Sequence, residues 1–236
     1  MCGRFRLSHR KELIEEYFAT EPSDVEWNPR FNVAPTQFVP SIRRDAAQPT
    51  RSLGLMQWGL VPSWMTDSAA PAKLFNARSE TVATKPSFRE ALKNRRCLLP
   101  ADAFYEWKKV SNRKQPFCFE VDGGALFAFA GIWEAARGPN GDPIETCCIL
   151  TTSPNEVTSA VHDRMPVILG QDEYDMWLDP ELKHSAILNL LNPFEASLMH
   201  AFPVSTRVNS VKNDDEECSK PWTEDQRYEQ TMDLFG

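Results

Sequence analysis

The alternation of apolar and polar residues along the chain predicts a protein built mainly of β-strands. Short apolar runs rich in β-branched and aromatic residues, several with period-two alternation, are typical of strands that face a core. Strands are predicted at 98–107, 116–121, 125–133, 144–151, 165–169 and 198–205. The second half of the chain is therefore expected to be dominated by strands.

Helical spacing of apolar residues is confined to short segments. Residues 11–18 form the first predicted helix, with Ser8 as its N-cap. Its predicted apolar face comprises Leu13, Ile14, Tyr17 and Phe18. Further helices are predicted at 88–95, 154–161, 172–178 and 180–191. Ser87 with Glu90, and Ser153 with Glu156, have the spacing of capping boxes for the first two of these.

The length and composition of the chain are those of one globular domain. Its 236 residues are 42% hydrophobic, which is enough to bury a sizeable core. The segment after the first helix holds Pro22, Pro29, Pro35 and Pro40 and is predicted to be a loop region. We predict a domain over 1–222 and an acidic, flexible tail at 223–236, with the polar segment from Asn213 onwards outside the core.

Charge is distributed unevenly along the chain. The formal net charge is −7, yet residues 1–120 carry 19 basic and 13 acidic residues, whereas residues 121–236 carry 7 and 20. A basic N-terminal half is compatible with a phosphate-binding face. A solvated surface of mixed charge explains the same counts equally well.

Cysteine usage and hydropathy narrow the class of protein. The six cysteines form no CxxC pair, so neither a disulfide framework nor a zinc site is expected. No apolar run reaches the length of a membrane span, and the first ten residues lack the apolar core of a signal peptide. The protein is therefore expected to be cytoplasmic and monomeric, without a membrane, metal or cofactor as partner.

Cys2 stands out because of its position. Initiator methionine is normally removed before a small residue, and removal of Met1 would place an α-amine and a thiol on the same residue. Both groups titrate within about two pH units of neutrality in model peptides. A 1,2-aminothiol reacts with aldehydes in a distinctive way: the amine forms a Schiff base and the sulfur then closes a thiazolidine ring.

A set of motifs in fixed order identifies a family that the chain resembles. They are MCGR at 1–4, FNVAPT at 31–36, WGLVPSW at 58–64, FNARSE at 75–80, CLLP at 97–100, FYEW at 104–107, FAGIWE at 129–134 and HDRMP at 162–166. In this order the eight motifs closely resemble the SRAP family, the SOS response-associated peptidase-like proteins that process abasic sites. The resemblance extends from Cys2 to about Trp222.

The resemblance implies a fold and an activity. The implied fold is α+β, a single β-rich domain with a mixed, largely antiparallel sheet and short peripheral helices. The implied partner is single-stranded DNA with abasic sites, to which the protein forms a covalent cross-link and thereby shields the lesion. On this basis Cys2 is the nucleophile, Asn76 holds the deoxyribose, Glu106 shuttles protons and His162 assists ring opening and Schiff-base chemistry. The family's peptidase activity is then the autocatalytic exposure of Cys2, with lyase chemistry at the same Schiff base.

The residue types agree with these roles. An abasic sugar is mostly a closed hemiacetal, so a general acid or base must release its aldehyde. Glu106 lies between Tyr105 and Trp107 in an apolar segment, where loss of hydration is expected to raise its pKa. Histidine titrates near neutrality, which suits His162 for proton transfer. Each residue taken alone has an ordinary structural interpretation, such as a salt bridge for Glu106 or a turn for Asn76.

Candidate DNA contacts follow from proximity to these residues. Arg4, Arg78 and Arg164 are neighbours in sequence of Cys2, Asn76 and His162 and are expected to contact phosphates. Trp64 and Pro40 are candidates for stacking on bases or wedging between them. Trp58, Trp107 and Trp133 are assigned to packing instead.

Two other functions remain open at the level of sequence. The first is an N-terminal nucleophile amidohydrolase, in which the α-amine of Cys2 acts as base and its thiol attacks an amide. The second is a non-enzymatic reader of modified DNA bases, which would bind DNA without Cys2. Release of ammonia from glutamine and a shifted band on a denaturing gel distinguish the three functions.

The C-terminus carries a short motif of a different kind. Residues 230–235 resemble the peptides by which bacterial repair proteins dock on the replication sliding clamp. The residues that would fill the clamp pocket are Gln230, Met232, Leu234 and Phe235. A terminal turn that buries the same apolar residues is the competing interpretation.

Overall fold

Two β-sheets that share one apolar core form the frame of the protein. The computed structural model describes residues 2–44, 50–65, 74–138 and 141–222, and the observations below concern these residues. The five-stranded sheet is antiparallel and has the strand order β13-β8-β7-β1-β2. Its strands are β1 (Phe5–Leu7), β2 (Arg30–Val33), β7 (Ala103–Val110), β8 (Arg113–Val121) and β13 (Met199–Pro203).

The eight-stranded sheet is mixed and closes on itself. Its order is β11-β10-β4-β3-β6-β9-β12, and β9 also pairs with β10, so that β10, β4, β3, β6 and β9 form a closed ring. The strand β5 pairs with β10 in parallel, as does β4. The strands are β3 (Phe38–Arg44), β4 (Arg51–Trp58), β5 (Asn76–Arg78), β6 (Arg96–Ala101), β9 (Phe127–Arg137), β10 (Pro143–Thr152), β11 (Met165–Pro166) and β12 (Ile168–Leu169).

The helices of the described part of the chain are short and peripheral. They are α1 (Lys11–Phe18), α2 (Ser79–Val82), α3 (Arg89–Asn94), α4 (Glu156–Ser159), α5 (Tyr174–Leu178) and α6 (His184–Asn189). Single 3₁₀ turns cover Gln171–Glu173, Ala196–Leu198, Thr206–Asn209 and Glu216–Cys218. The β-rich α+β fold with a mixed, largely antiparallel sheet is thereby confirmed. None of these helices has both the length and the apolar character that crossing a membrane requires.

The five-stranded sheet has apolar residues on both faces, and this explains the uninterrupted burial at the start of β7. Phe104 belongs to the main core, whereas Ala103 and Tyr105 pack with Val204 and Cys218 in a smaller cluster on the opposite face. Because side chains alternate along a strand, Glu106 points to the same side as Phe104. A carboxyl group is thus directed towards the main core.

The predicted strand at 98–107 is in fact two strands that belong to different sheets. The chain leaves β6 at Ala101, turns at the fully buried Asp102 and enters β7 at Ala103. Asp102 accepts hydrogen bonds from Arg6 Nε, from the backbone and hydroxyl of Ser8 and from His9 Nδ1. These bonds hold the turn, which passes the chain from one sheet to the other.

The region predicted as a proline-rich loop contains β2 and the first three residues of β3. Pro40 is buried within β3 opposite Leu55. A proline is tolerated there because β3 pairs with β6 only at Ile42 and Leu98, which leaves Pro40 without a ladder partner on that side. The strand β4 was likewise absent from the sequence prediction.

Three of the predicted caps are wrong, although each helix exists. Ser8 binds Asp102, and α1 begins after Arg10 with no side-chain cap. Of its predicted apolar face, Ile14 and Phe18 are buried, whereas Leu13 is exposed. The helix α3 begins after Phe88 without the predicted capping box. In α4 the cap is Asn155, whose side chain accepts from the Thr158 backbone N–H and replaces the predicted Ser153.

The polar segment after residue 212 packs on the sheet, in contrast to the prediction. Asp214 accepts hydrogen bonds from the backbone N–H groups of Phe31 and Asn32 and pairs with Arg30. Cys218 is buried in the smaller cluster. The domain boundary at 222 remains a prediction, and residues 223–236, with the motif at Gln230, Met232, Leu234 and Phe235, lie outside the described residues.

Replacement of Asp102 by asparagine is expected to destabilise the fold strongly at neutral pH. Burial alone would raise the pKa of Asp102, but the hydrogen bond from His9 and the charge of Arg6 outweigh burial and lower it. Removing one partner of a buried ion pair costs about 3–5 kcal/mol. Urea unfolding at pH 7 measures this loss. The matched control is Asp175→Asn, which removes a 65% exposed carboxylate from its pairs with Arg44 and Arg51, and an exposed carboxylate of this kind contributes about 0–1 kcal/mol per pair.

The same substitution carries a pH signature. A lowered pKa in the folded state means that the stabilisation by Asp102 is complete above about pH 4, the ordinary carboxyl value, and is lost as the pH falls further. The gap in unfolding free energy between wild type and Asp102→Asn should therefore shrink below pH 4. A gap under 1 kcal/mol at pH 7 would contradict the structural role of Asp102.

Candidate active site

Cys2 lies fully buried at the end of the five-stranded sheet, just before β1. Asn76 Nδ2 donates a hydrogen bond of 2.7 Å to the Cys2 carbonyl oxygen. The Cys2 thiol lies 3.8 Å from the Arg4 carbonyl oxygen. The backbone of Cys2 is therefore held by a side chain that belongs to the other sheet.

Asn76 is placed by the pairing of β5 with β10. It is the first residue of β5 and lies opposite Ile149 in a parallel ladder. Its Oδ1 atom is buried and has no hydrogen-bond donor among the residues that the structure describes. Because a buried acceptor without a donor is costly, this oxygen is a candidate contact for a hydroxyl group of a ligand.

Glu106 reaches the site from β7. Its side chain is almost completely buried, with 3% of the residue exposed. Burial raises the pKa of Glu106, and the nearby His162 acts in the opposite direction. A carboxyl group of this kind holds its proton closer to neutrality than an exposed glutamate and is suited to accept and return a proton.

His162 faces Glu106 from the loop that follows α4. Its Nε2 atom lies 3.8 Å from Glu106 Oε2. The Arg164 backbone N–H donates to Nδ1 at 3.1 Å, whereas Asp163 Oδ1 lies 3.0 Å from the same atom and would require a proton there. Asp163 is 87% exposed and its charge is screened, so the backbone contact decides the tautomer. The neutral ring then carries its proton on Nε2, towards Glu106.

Cys2 and Glu106 are also linked electrostatically. Burial raises the pKa of the Cys2 thiol, and the negative charge of Glu106 raises it further. The thiol is therefore protonated at neutral pH while it stays buried. Chemistry at sulfur requires a base or a reaction that does not begin with a thiolate.

A pocket of about 450 Å³ opens beside Glu106 and His162. Arg4, Trp107, Lys114 and Asn209 also line it. The Trp107 indole N–H donates to Asn209 Oδ1 at 2.7 Å, which fixes the ring at the wall of the pocket. The ring also packs against the smaller apolar cluster, as predicted. Trp58, by contrast, is fully buried as expected.

The structure assigns Arg4 an internal role. Its guanidinium group donates to Asn32 Oδ1 at 2.9 Å and to the carbonyl oxygens of Val208 and Asn209 at 2.7 and 3.3 Å. These bonds join the start of the chain to the 3₁₀ turn Thr206–Asn209. Arg4 thus positions the loop that holds Trp107, and its donors are largely used within the protein.

The other candidate DNA contacts differ in accessibility. Arg78 is exposed and forms no ion pair with any described residue, and Trp64 is 61% exposed. Arg164 pairs with Glu80 and donates to the Thr151 carbonyl oxygen. Pro40 is buried, so its side chain cannot wedge between bases, and it is withdrawn from the candidate contacts.

Across 2–44, 50–65, 74–138 and 141–222, no three His, Cys, Asp or Glu side chains are grouped as metal ligands. The candidate site instead combines a buried cysteine, an amide and a carboxyl–imidazole pair.

Glu106→Gln is expected to make the folded protein more stable at high pH. A raised pKa means that the folded state retains the Glu106 proton better than the unfolded state, so wild-type stability falls as the pH rises above about 4.3. Glutamine does not titrate, and the variant should gain stability relative to wild type as the pH rises from 4 to 8. Chemical unfolding of both proteins across this range measures the difference. A variant that loses stability relative to wild type as the pH rises would show that Glu106 is stabilised as a carboxylate.

Similarity to known proteins agrees with the motifs. Abasic site processing protein YoqW from Bacillus subtilis (strain 168) is 42% identical over 221 residues, which is 92% of this chain and 98% of that protein. Abasic site processing protein HMCES from Gallus gallus is 36% identical over 228 residues, which is 83% of this chain and 67% of that protein.

Solved structures share the fold. The crystal structure of a protein from Bacteroides thetaiotaomicron has a TM-score of 0.85 at 27% identity and covers 94% of this chain and 100% of that chain. The sequence model of the family described as SOS response associated peptidase (SRAP) matches residues 1–211. The chain belongs to the SRAP family.

Proposed function

We propose that this protein processes abasic sites in single-stranded DNA by forming a covalent cross-link through Cys2 after removal of Met1. The observation that carries the proposal is the placement of Cys2, held at its carbonyl by Asn76, beside the Glu106–His162 pair. The names of the relatives YoqW and HMCES as abasic site processing proteins support the same class of substrate.

The reaction proceeds in three steps. A general acid–base pair first opens the cyclic hemiacetal of the abasic sugar: the C1 hydroxyl loses its proton, the bond from C1 to the ring oxygen breaks, the ring oxygen gains a proton, and the aldehyde is freed. The α-amine of Cys2 then adds to the aldehyde and water leaves, giving a Schiff base. The thiol finally adds across the C=N bond: sulfur binds carbon, the proton passes to nitrogen, and a thiazolidine ring closes.

Glu106 and His162 supply the proton transfers. The carboxyl group, with its raised pKa, can take the proton of the hemiacetal hydroxyl and return it to the opened sugar. His162 presents its Nε2 proton towards Glu106 and can replace it during ring opening and Schiff-base formation. The Asn76 Oδ1 atom is positioned to accept a hydrogen bond from a hydroxyl group of the deoxyribose.

Autocatalytic peptidase and lyase activities belong to the same proposal. Attack of the Cys2 thiol on the Met1 carbonyl, with Glu106 accepting the thiol proton, would break the Met1–Cys2 peptide bond and leave the Cys2 amine free. Water would then hydrolyse the resulting thioester, which releases Met1 and restores the thiol. The Schiff base formed afterwards permits elimination of the 3′ phosphate. Intact mass measurement of wild type and Glu106→Gln after expression shows whether removal of Met1 depends on this residue.

DNA contacts outside the reacting nucleotide are assigned to Arg78, Arg164 and Trp64. Arg78 is exposed next to Asn76 and is free to bind a phosphate, while Arg164 would exchange its pair with Glu80 for one. Trp64 offers an exposed ring for stacking on a base. Docking of the residues 230–235 on a sliding clamp also stays a proposal.

Cys2→Ala is expected to abolish the stable adduct because ring closure needs sulfur. The assay is incubation with an oligonucleotide that carries one abasic site, followed by denaturing electrophoresis. Borohydride should still trap a Schiff base from the amine of the variant, and Cys118→Ala, at another buried cysteine, serves as control. A full-strength stable adduct from Cys2→Ala would rule out the thiazolidine.

Glu106→Gln is expected to slow cross-linking by roughly 10²-fold, within the usual range for the loss of a general acid or base. Single-turnover rates at saturating DNA measure the chemical step separately from binding. Glu156→Gln, an exposed residue of α4, provides the matched control and should react at the wild-type rate. His162→Ala should alter formation or reversal of the adduct more than DNA affinity. Wild-type rates for both site variants would exclude the proton-transfer roles.

A further inference from the structure

The hairpin formed by β7 and β8 carries four basic residues, one at the wall of the pocket and three further along the hairpin. The hairpin segment 107–116 contains no aspartate or glutamate. Its basic residues, all exposed, are Lys108, Lys109, Arg113 and Lys114. None of the ion pairs formed among the described residues involves any of the four. The tip is therefore a local concentration of unneutralised positive charge on a protein of net charge −7.

The strand register divides these residues between two faces. Lys109 lies opposite Lys114, and Trp107 lies opposite Pro116. Because side chains alternate along a strand, Trp107, Lys109 and Lys114 share one face, which we call the lysine face. Lys108, opposite Gln115, and Arg113, opposite Val110, point to the other face, which is also the face of Glu106, but neither of them lines the pocket.

The lysine face is unfavourable for stability. Side chains directly opposite each other in an antiparallel pair have Cβ atoms about 4.5–5.5 Å apart, and like charges there are destabilising. Lys109 and Lys114 form such a pair, and no described carboxylate compensates for it. An anion bound between the two ammonium groups would relieve the repulsion.

The lysine face is continuous with the candidate active site. Lys114 and Trp107 line the same pocket as Glu106 and His162. Trp107 is fixed by Asn209 and contributes an aromatic ring to the wall that Lys114 also lines. An aromatic ring followed by cations along a strand is the combination that single-strand binders use, with stacking for bases and charge for phosphates.

We propose that the lysine face is the track for the backbone phosphates on one side of the abasic nucleotide. The inference rests on the proposed function, since it assumes that single-stranded DNA enters the pocket. Arg78 belongs to the eight-stranded sheet and the lysines to the five-stranded sheet, so the two contact regions reach the site from different sheets. Arg78 then contacts the phosphates on the other side of the abasic nucleotide.

The test compares two double variants with the same change of charge. Lys109→Gln/Lys114→Gln removes the lysine face, whereas Lys108→Gln/Arg113→Gln removes the same charge from the opposite face of the hairpin. Binding of undamaged single-stranded DNA is measured by fluorescence anisotropy between 50 and 300 mM salt. Each phosphate contact contributes about 0.7 to the slope of log K against log salt for single strands. The first variant should lose about 1.4 from this slope, and the second should keep the wild-type slope.

Oligonucleotides shortened on one side locate the contact. The binding defect of Lys109→Gln/Lys114→Gln should disappear when the DNA is truncated from one end and persist when it is truncated from the other. Equal slopes for both double variants would show a diffuse charge effect and overturn the proposal, as would an unchanged slope for the first. A defect that survives truncation from both ends would equally overturn it.

Failure of the phosphate track can be distinguished from failure of the proposed cross-linking chemistry. Wild-type cross-linking of an abasic oligonucleotide tests the chemistry alone. If wild type forms no cross-link but its DNA binding depends on Lys109 and Lys114, the chemistry is wrong and the phosphate track stands. If wild type forms the cross-link and both double variants bind like wild type, the track is wrong and the chemistry stands.

Discussion

The buried carboxylate of Asp102 determines how the two sheets meet. It interrupts an apolar run, so that Ala101 ends in one sheet and Ala103 begins in the other. Its oxygens accept hydrogen bonds from Arg6, Ser8 and His9, which fixes the N-terminal strand at this corner. Without this turn, Glu106 would continue along the closed ring, and Cys2 would have no sheet edge to lie against. The position of Cys2 and Glu106 therefore depends on a residue that is not part of the candidate site.

The sequence predicts strands well where alternation is local and poorly where pairing is distant. The segments that became β8, β9 and β10 are long apolar runs, and they were found. The strand β3 was missed because Pro40 suggests a loop, yet its partner residue lies on β4 and its other edge at that point is unpaired. The break at Asp102 could not be predicted, since a single polar residue in an alternating run is expected simply to face solvent.

The residues of the candidate site were likewise predicted where a local motif names them and missed where distant pairing places them. Motifs singled out Cys2, Asn76, Glu106 and His162, and the structure brings them together across elements far apart in sequence. The sequence did not identify the pocket residues Trp107, Lys114 and Asn209 as part of the site. Their place there follows from the register of β7 with β8 and from a loop held by Arg4. A phosphate contact was predicted for Arg4 because it is close to Cys2 in sequence. The carbonyl oxygens of Val208 and Asn209, which accept its hydrogen bonds instead, are about 200 residues away and could not be predicted.

Burial of the Cys2 thiol sets the order of the proposed steps, with the amine reacting before the sulfur. A buried Cys2 thiol whose pKa is raised by burial and by Glu106 is a poor first nucleophile, since the thiolate is the reactive form. An α-amine has no such restriction once it reaches an aldehyde. Once the Schiff base forms, the thiol and the imine nitrogen belong to the same residue. The attack of sulfur on the imine carbon is then intramolecular, and this proximity offsets the low reactivity of the thiol. In the proposed mechanism Glu106, whose charge disfavours the thiolate before reaction, can also relay the thiol proton to nitrogen as the ring closes. The environment therefore holds the sulfur inert towards other reagents and directs it to the intermediate formed on its own residue.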